Sequence, residues 1–263
     1  MKSFLTSLAA TVLLATSAFA SLDYTYTGVG LADGSGQITI TYPTNYTGGS
    51  HSESGIYVGQ LDMRNPLDGS TFNAFCLSPS GILSPGTAAY NVLTFDQAKY
   101  GNNPAAWSLT GGIENAAYIW NQNQGKITTA AQGAALNLAL WTALYNSTAV
   151  GVVDDSGRFS VSGSGFTDSI EHAYSSDLAQ VNGASKSAIL ANYSSNPGYI
   201  LRPVNATMQD LIVLPGAVPP GMRPGLAVAP EPSTIFGLLF LGVFVFGQTL
   251  AEKLKLPVLA KAR

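Results

Sequence analysis

A chain of 263 residues allows one ordinary domain or two small ones, with ample length for a buried core. Charged residues make up only 10%, against roughly 25% in a typical soluble domain, and 12 basic against 15 acidic residues leave a net charge of −3. That balance excludes the basic stripe of a nucleic-acid binder, while one Cys and two His exclude a disulfide framework and a Cys-rich zinc site.

Residues 1–20 read as an export signal. Lys2 supplies the positive start, residues 4–14 form a short apolar stretch, and Ala18-Phe19-Ala20 provides a small-residue cleavage site. The mature chain is expected to begin at Ser21 and to lie outside the inner membrane. Strand signals follow at 22–27, 37–42, 56–61 and 71–77, where β-branched and aromatic residues are separated by Gly, Ser and Asn clusters. A further strand is expected near 90–95. In the segment at 71–77, Phe72, Ala74 and Cys76 share one face, and Phe75 and Leu77 the other.

Helical spacing begins after Pro104. Ile113, Ala116, Ala117 and Trp120 predict a short helix over 113–121. The strongest helix is predicted at 129–146, with Thr128 or Thr129 as N-cap and Leu136, Leu140 and Leu144 in one stripe beside Asn137, Trp141 and Tyr145. Thr167 and Asp168 open a third helix that runs to about 181, and strand patterns return at 199–204 and 208–214. Residues 215–229 are rich in Pro and Gly and read as a linker. The fold expected for 21–214 is α+β: a strand-rich N-terminal half, a helical insert and returning strands, followed by one C-terminal transmembrane helix.

That helix is expected at 234–250, an uncharged run of about 17 residues that rises roughly 25 Å, the short end for a membrane span. Lys253, Lys255, Lys261 and Arg263 behind it, against Glu252 alone, keep the tail cytoplasmic. Ahead of it, Pro230, Glu231 and Pro232 cannot continue a helix and hold the chain extended at the membrane surface. Pro-Glu-Pro, then Ser-Thr, an apolar span and a basic end over 230–263 resemble the PEP-CTERM sorting tail. The resemblance implies recognition by an exosortase, a membrane enzyme of Gram-negative bacteria that make exopolysaccharide. Anchoring in the inner membrane would then be transient, with release to the cell surface or beyond.

Candidate chemistry rests on Cys76. A lone thiol in an exported protein is either buried and inert or put to use. The Phe75-Cys76-Leu77 strand, the Trp120 helix and the Asn137-Leu138-Ala139-Leu140-Trp141 helix, together spanning 55–146, resemble the Cys-Gln thioester domain of bacterial surface proteins. The resemblance implies an internal thioester: the thiol attacks a side-chain amide, ammonia leaves, and the acyl group awaits an amine or hydroxyl on a target surface. Trp141 and Phe75 are the residues expected to shield such a bond. Aligning Ala139 and Trp141 on the family pattern places Asn137 where the family carries Gln. The nearest other amide, Gln132, is five residues earlier and about 140° around the helix. The expected outcome is a retained scaffold without the bond.

Asp154 with Asp155, and Asp168 with Glu171 and His172, read as solvated loop and helix-start charges. No catalytic triad, phosphate loop or metal pattern stands out, so no catalytic residue, metal or cofactor is expected. The favoured function is a non-enzymatic exported surface or matrix protein, sorted by an exosortase and associated with exopolysaccharide, biofilm or a cell-surface glycan. The alternative is a covalent adhesin whose Cys76 forms a thioester.

Overall fold

Six antiparallel strands close on themselves because the first is long enough to pair with a different neighbour on each side. The computed structural model describes residues 21–43, 49–79, 86–99, 111–195, 198–205 and 209–219. The expected export signal, the Pro230-Glu231-Pro232 motif and the span at 234–250 lie outside them. Among the described residues, no helix is long and apolar enough to cross a membrane. The chain divides into two units, Met1–Pro224 and Gly225–Arg263, and the elements described here belong to the first.

The strands are β1 (Ser21–Pro43), β2 (Ser50–Arg64), β3 (Thr71–Cys76), β4 (Gly86–Leu93), β7 (Ser160–Ser162), β8 (Tyr199–Pro203) and β9 (Leu211–Val213), with β5 (Ser147–Ala149) and β6 (Val152–Val153) forming a separate two-stranded sheet. The main sheet runs β2-β3-β9-β8-β4-β1-β7, and pairing of β2 with β1 closes six of these strands into a barrel. Closure removes free sheet edges. β7 adds to the far end of β1, with Ile40 opposite Val161.

Sequence alone divides residues 22–42 into two strands around a Gly-rich loop. In the structure β1 runs through Gly28 and Gly30 without a break, paired to β2 with register shifts between Tyr26 and Gly28, Val29 and Ala32, and Asp33 and Ile38. β2 pairs with the backbone on both sides of this stretch, and the register shifts bend the ribbon around the barrel. Inside, Tyr24, Ile38, Ile40, Val58, Met63, Ala74 and Tyr90 are fully buried. Tyr24 sets its ring edge-on to Phe72 with centroids 5.1 Å apart.

Five helices complete the unit: α1 (Phe95–Lys99), α2 (Gly112–Asn123), α3 (Ala130–Asn146), α4 (Asp168–Asn182) and α5 (Lys186–Ser194). α3 begins where its sequence predicts. The Thr129 hydroxyl accepts from Gln132 N–H, and the Gln132 side chain accepts from Thr129 N–H, a reciprocal capping box. From Gly133 onward every side of α3 is buried, against α2, α4, β1 and β2. Its many alanines allow that close approach on faces the leucine stripe does not fill. The third predicted helix is α4, opened by Thr167 as expected. α5 has no counterpart in the sequence reading, because only Ile189 in it is buried and so no apolar stripe marks it.

The chain packs on past the expected boundary at 214. Pro215–Ala217 form a 3-10 turn, Val218 is buried, and the Tyr24 hydroxyl donates to the Ala217 carbonyl at 3.2 Å. Asp154, Asp155, Asp168, Glu171 and His172 are all exposed.

Candidate functional site at Cys76

Cys76 ends β3, and its position is fixed from three directions. On one side β3 pairs with β2, setting Phe75 opposite Gln60. On the other it pairs with β9, setting Cys76 opposite Leu211. From above, α3 lowers Asn137 onto the strand end. The Asn137 Nδ2 donates to the Cys76 carbonyl at 2.9 Å, and its Oδ1 accepts from Gly59 N–H at 3.2 Å.

The buried Asn137 amide therefore ties helix to barrel, spanning two backbone groups that the strand ladder leaves unpaired. It meets the backbone of Cys76. The other expected candidate, Gln132, is at the start of α3, where its Oε1 accepts from Thr128 N–H at 2.9 Å, the Thr128 hydroxyl at 3.0 Å and Thr129 N–H at 3.2 Å. Capping the helix holds it away from the thiol.

The side chain that meets the thiol is Gln209, with its Oε1 against the Cys76 Sγ. Gln209 lies two residues before the first residue of β9, and the β3–β9 pairing brings it across 133 residues of sequence. Sequence alone predicts a strand at 208–214 and marks no role for Gln209. The available signal was an amide at the start of a strand able to pair beside the Cys strand.

Cys76 and Gln209 lie on a cleft of about 230 Å³ whose lining includes Tyr26, Glu53, Tyr57 and Trp141. Trp141 is 3% exposed and stands edge-on to Phe159 with centroids 6.0 Å apart. Its ring forms part of the cleft wall. Phe75 turns the other way and packs edge-on against Trp120 at 5.6 Å, supporting the strand from behind.

Electrostatics around the thiol disfavour charge. Burial, and then the nearby Asp210 carboxylate, push the Cys76 thiol well above its usual range, against a smaller opposing effect from a backbone hydrogen bond at Ser78. Asp210 is itself raised by burial, although the Arg202 Nε donates to its Oδ2 at 3.3 Å. Tyr90, buried beside Cys76 and Asp210, is pushed up to about 12. Burial here favours the neutral thiol over the thiolate.

Among the described residues, no group of three or more His, Cys, Asp or Glu is placed to hold a metal ion. No known protein family matches the chain, and no curated protein matches its sequence. Solved structures that resemble it include two surface-protein domains. One is the N-terminal thioester domain of fibronectin-binding protein SfbI from Streptococcus pyogenes, at 10% identity and a TM-score of 0.31, covering 68% of this chain and 93% of that one. The other is the N-terminal domain of the Streptococcus pyogenes pilus tip adhesin Cpa, at 14% identity and a TM-score of 0.30, covering 69% of this chain and 93% of that one.

Proposed function

We propose that this chain is an exported cell-surface protein that forms an internal thioester between Cys76 and Gln209 and uses it once to attach covalently to a target surface. The contact between the Cys76 thiol and the Gln209 amide carries this reading. The Cys76 sulfur attacks the Gln209 Cδ, a C–S bond replaces the C–N bond, and the amide nitrogen leaves as ammonia with the thiol proton. A target amine then attacks the same carbon, forming an amide and returning the thiol to Cys76. Because the acyl group is consumed, the chain is not a turnover enzyme, and no cofactor is required.

Water attack would leave a carboxylate at position 209, one residue before the buried Asp210 carboxylate, where repulsion between like charges opposes that competing route. Proximity is supplied by the strand pairing, so little ordering is left to do at the moment of reaction.

Around that domain we retain the wider expectation. The tail with Pro230, Glu231 and Pro232 is proposed as an exosortase signal, with transient anchoring in the inner membrane and final association with exopolysaccharide or a cell-surface glycan. Its support is the sequence resemblance alone.

Peptide mapping of the full-length protein, denatured without reductant, tests the thioester. The expected result is a cross-linked pair of peptides carrying Cys76 and Gln209, lighter than their sum by one ammonia, with Cys76 closed to thiol reagents. Gln209→Ala should open the thiol to labelling, and Gln132→Ala should leave the linkage intact. A labelled Cys76 and full peptide masses in the unsubstituted protein would return the reading to a scaffold without the bond.

A further inference from the structure

A second cavity shares no lining residue with the Cys76 cleft. It is an open hollow of about 310 Å³ between the end of α2, the start of α3 and α4, and Asp177, Lys126, Ser176, Gln180 and Gln132 line it over an apolar side that includes Leu136. Asp177 is only 9% exposed. Among the described residues no donor hydrogen-bonds its carboxyl group, and the nearby Lys126 makes no ion pair with it but does draw its pKa down. Burial outweighs Lys126 and lifts that pKa to about 7. A buried carboxyl group without a donor costs stability, and such groups collect at sites that use them.

The neighbours specify what would satisfy it. Asn123 and Gln180 are locked in a reciprocal amide pair, each donating to the other at 3.1 Å, which fixes the cavity wall. The Gln132 carbonyl oxygen is taken by the helix cap, so its amide has only N–H groups left to offer. Ser176 offers a hydroxyl and Lys126 an ammonium. The cavity therefore presents a carboxyl group beside several donors, with the Lys126 ammonium at its rim.

From these features we infer that the cavity binds a neutral polyhydroxylated ligand, one sugar unit of a glycan. Each ligand hydroxyl both donates and accepts, so adjacent hydroxyls meet the Asp177 carboxylate and the Lys126, Gln132 and Ser176 donors at once. The volume admits one ring, and Leu136, Ile127 and Ala173 provide an apolar side for its C–H face. The inference stands apart from Cys76 and does not need the thioester.

Titration calorimetry on the full-length protein in detergent tests it, with glucose, galactose and N-acetylglucosamine as probes and alanine as a zwitterionic control. At least one sugar should bind saturably, and Asp177→Asn should weaken it about tenfold, the loss expected for charge-assisted hydrogen bonds. Lys126→Met, on the exposed rim, should weaken the same sugar, and Cys76→Ser should leave its affinity unchanged. No saturable binding by any of the three sugars would overturn the inference. So would alanine binding in their place, or affinity unaltered by both Asp177→Asn and Lys126→Met.

Discussion

Replacing Asn137 by Ala tests how the Cys76 site is held together. The substitution deletes both the donor to the Cys76 carbonyl at 2.9 Å and the acceptor for Gly59 N–H at 3.2 Å. Both backbone groups would remain beneath α3 without a side-chain partner, because Asn137 is only 1% exposed and Ala carries no polar group to replace its amide. An unsatisfied buried group costs roughly 1–3 kcal/mol, so the pair should cost about 2–5 kcal/mol, a large share of the 5–15 kcal/mol typical of a folded domain. For a domain of this size that corresponds to a fall of roughly 5–15 °C in Tm. Urea unfolding followed by tryptophan fluorescence should show a lower midpoint with an unchanged slope, since the folded surface is retained. Asn137→Gln should also destabilise, because an added methylene pushes the amide out of register with both partners. An Asn137→Ala protein within about 0.5 kcal/mol of the original would refute the bridging role, placing that change in the range of an ordinary surface substitution.

Other sites yield sharper, smaller tests. Asp177 holds a pKa near 7 when folded, against an ordinary value near 4 when unfolded, so the folded state keeps a proton that the unfolded state loses. Stability should therefore fall by up to a few kcal/mol as pH rises from about 4 to about 7, and Asp177→Asn should flatten that slope in thermal melts across the range. Thr129→Ala removes the hydroxyl of the α3 capping box and should cost about 1 kcal/mol by urea titration, with Thr129→Ser restoring most of it. Gly111 has φ of +89°, and a Cβ there would stand 2.4 Å from the Ala149 carbonyl carbon. Gly111→Ala should cost more than about 2 kcal/mol in the same titration, from the backbone strain and the collision together.

The local elements were fixed by local patterns. Thr129 with Gln132 three residues on, followed by leucines at every fourth position, marks the start and one buried face of α3 without knowledge of its neighbours. Phe72, Ala74 and Cys76 alternate with their neighbours, which sets β3 and directs the thiol to the Phe72 face. Even the scarcity of charge has a structural counterpart. Buried amides do the joining: Asn115 donates to the Ser147 hydroxyl and the Ala149 carbonyl at 2.9 Å, and Asn146 donates to the Phe159 carbonyl at 2.8 Å.

Pairing between distant strands was a tertiary decision. Nothing near Cys76 in sequence indicates that β9 will lie beside β3, because antiparallel partners are chosen by which apolar faces share the barrel interior. That choice places Gln209 on the thiol and leaves Asn137, opposite Cys76 as the helix pattern suggested, bound to its backbone. The same closure carries β1 through a glycine-rich stretch that reads locally as a loop, since β2 pairs with it on either side of residues 34–37. Periodicity reports which face of an element is buried; the partner across that face is set only when the barrel closes.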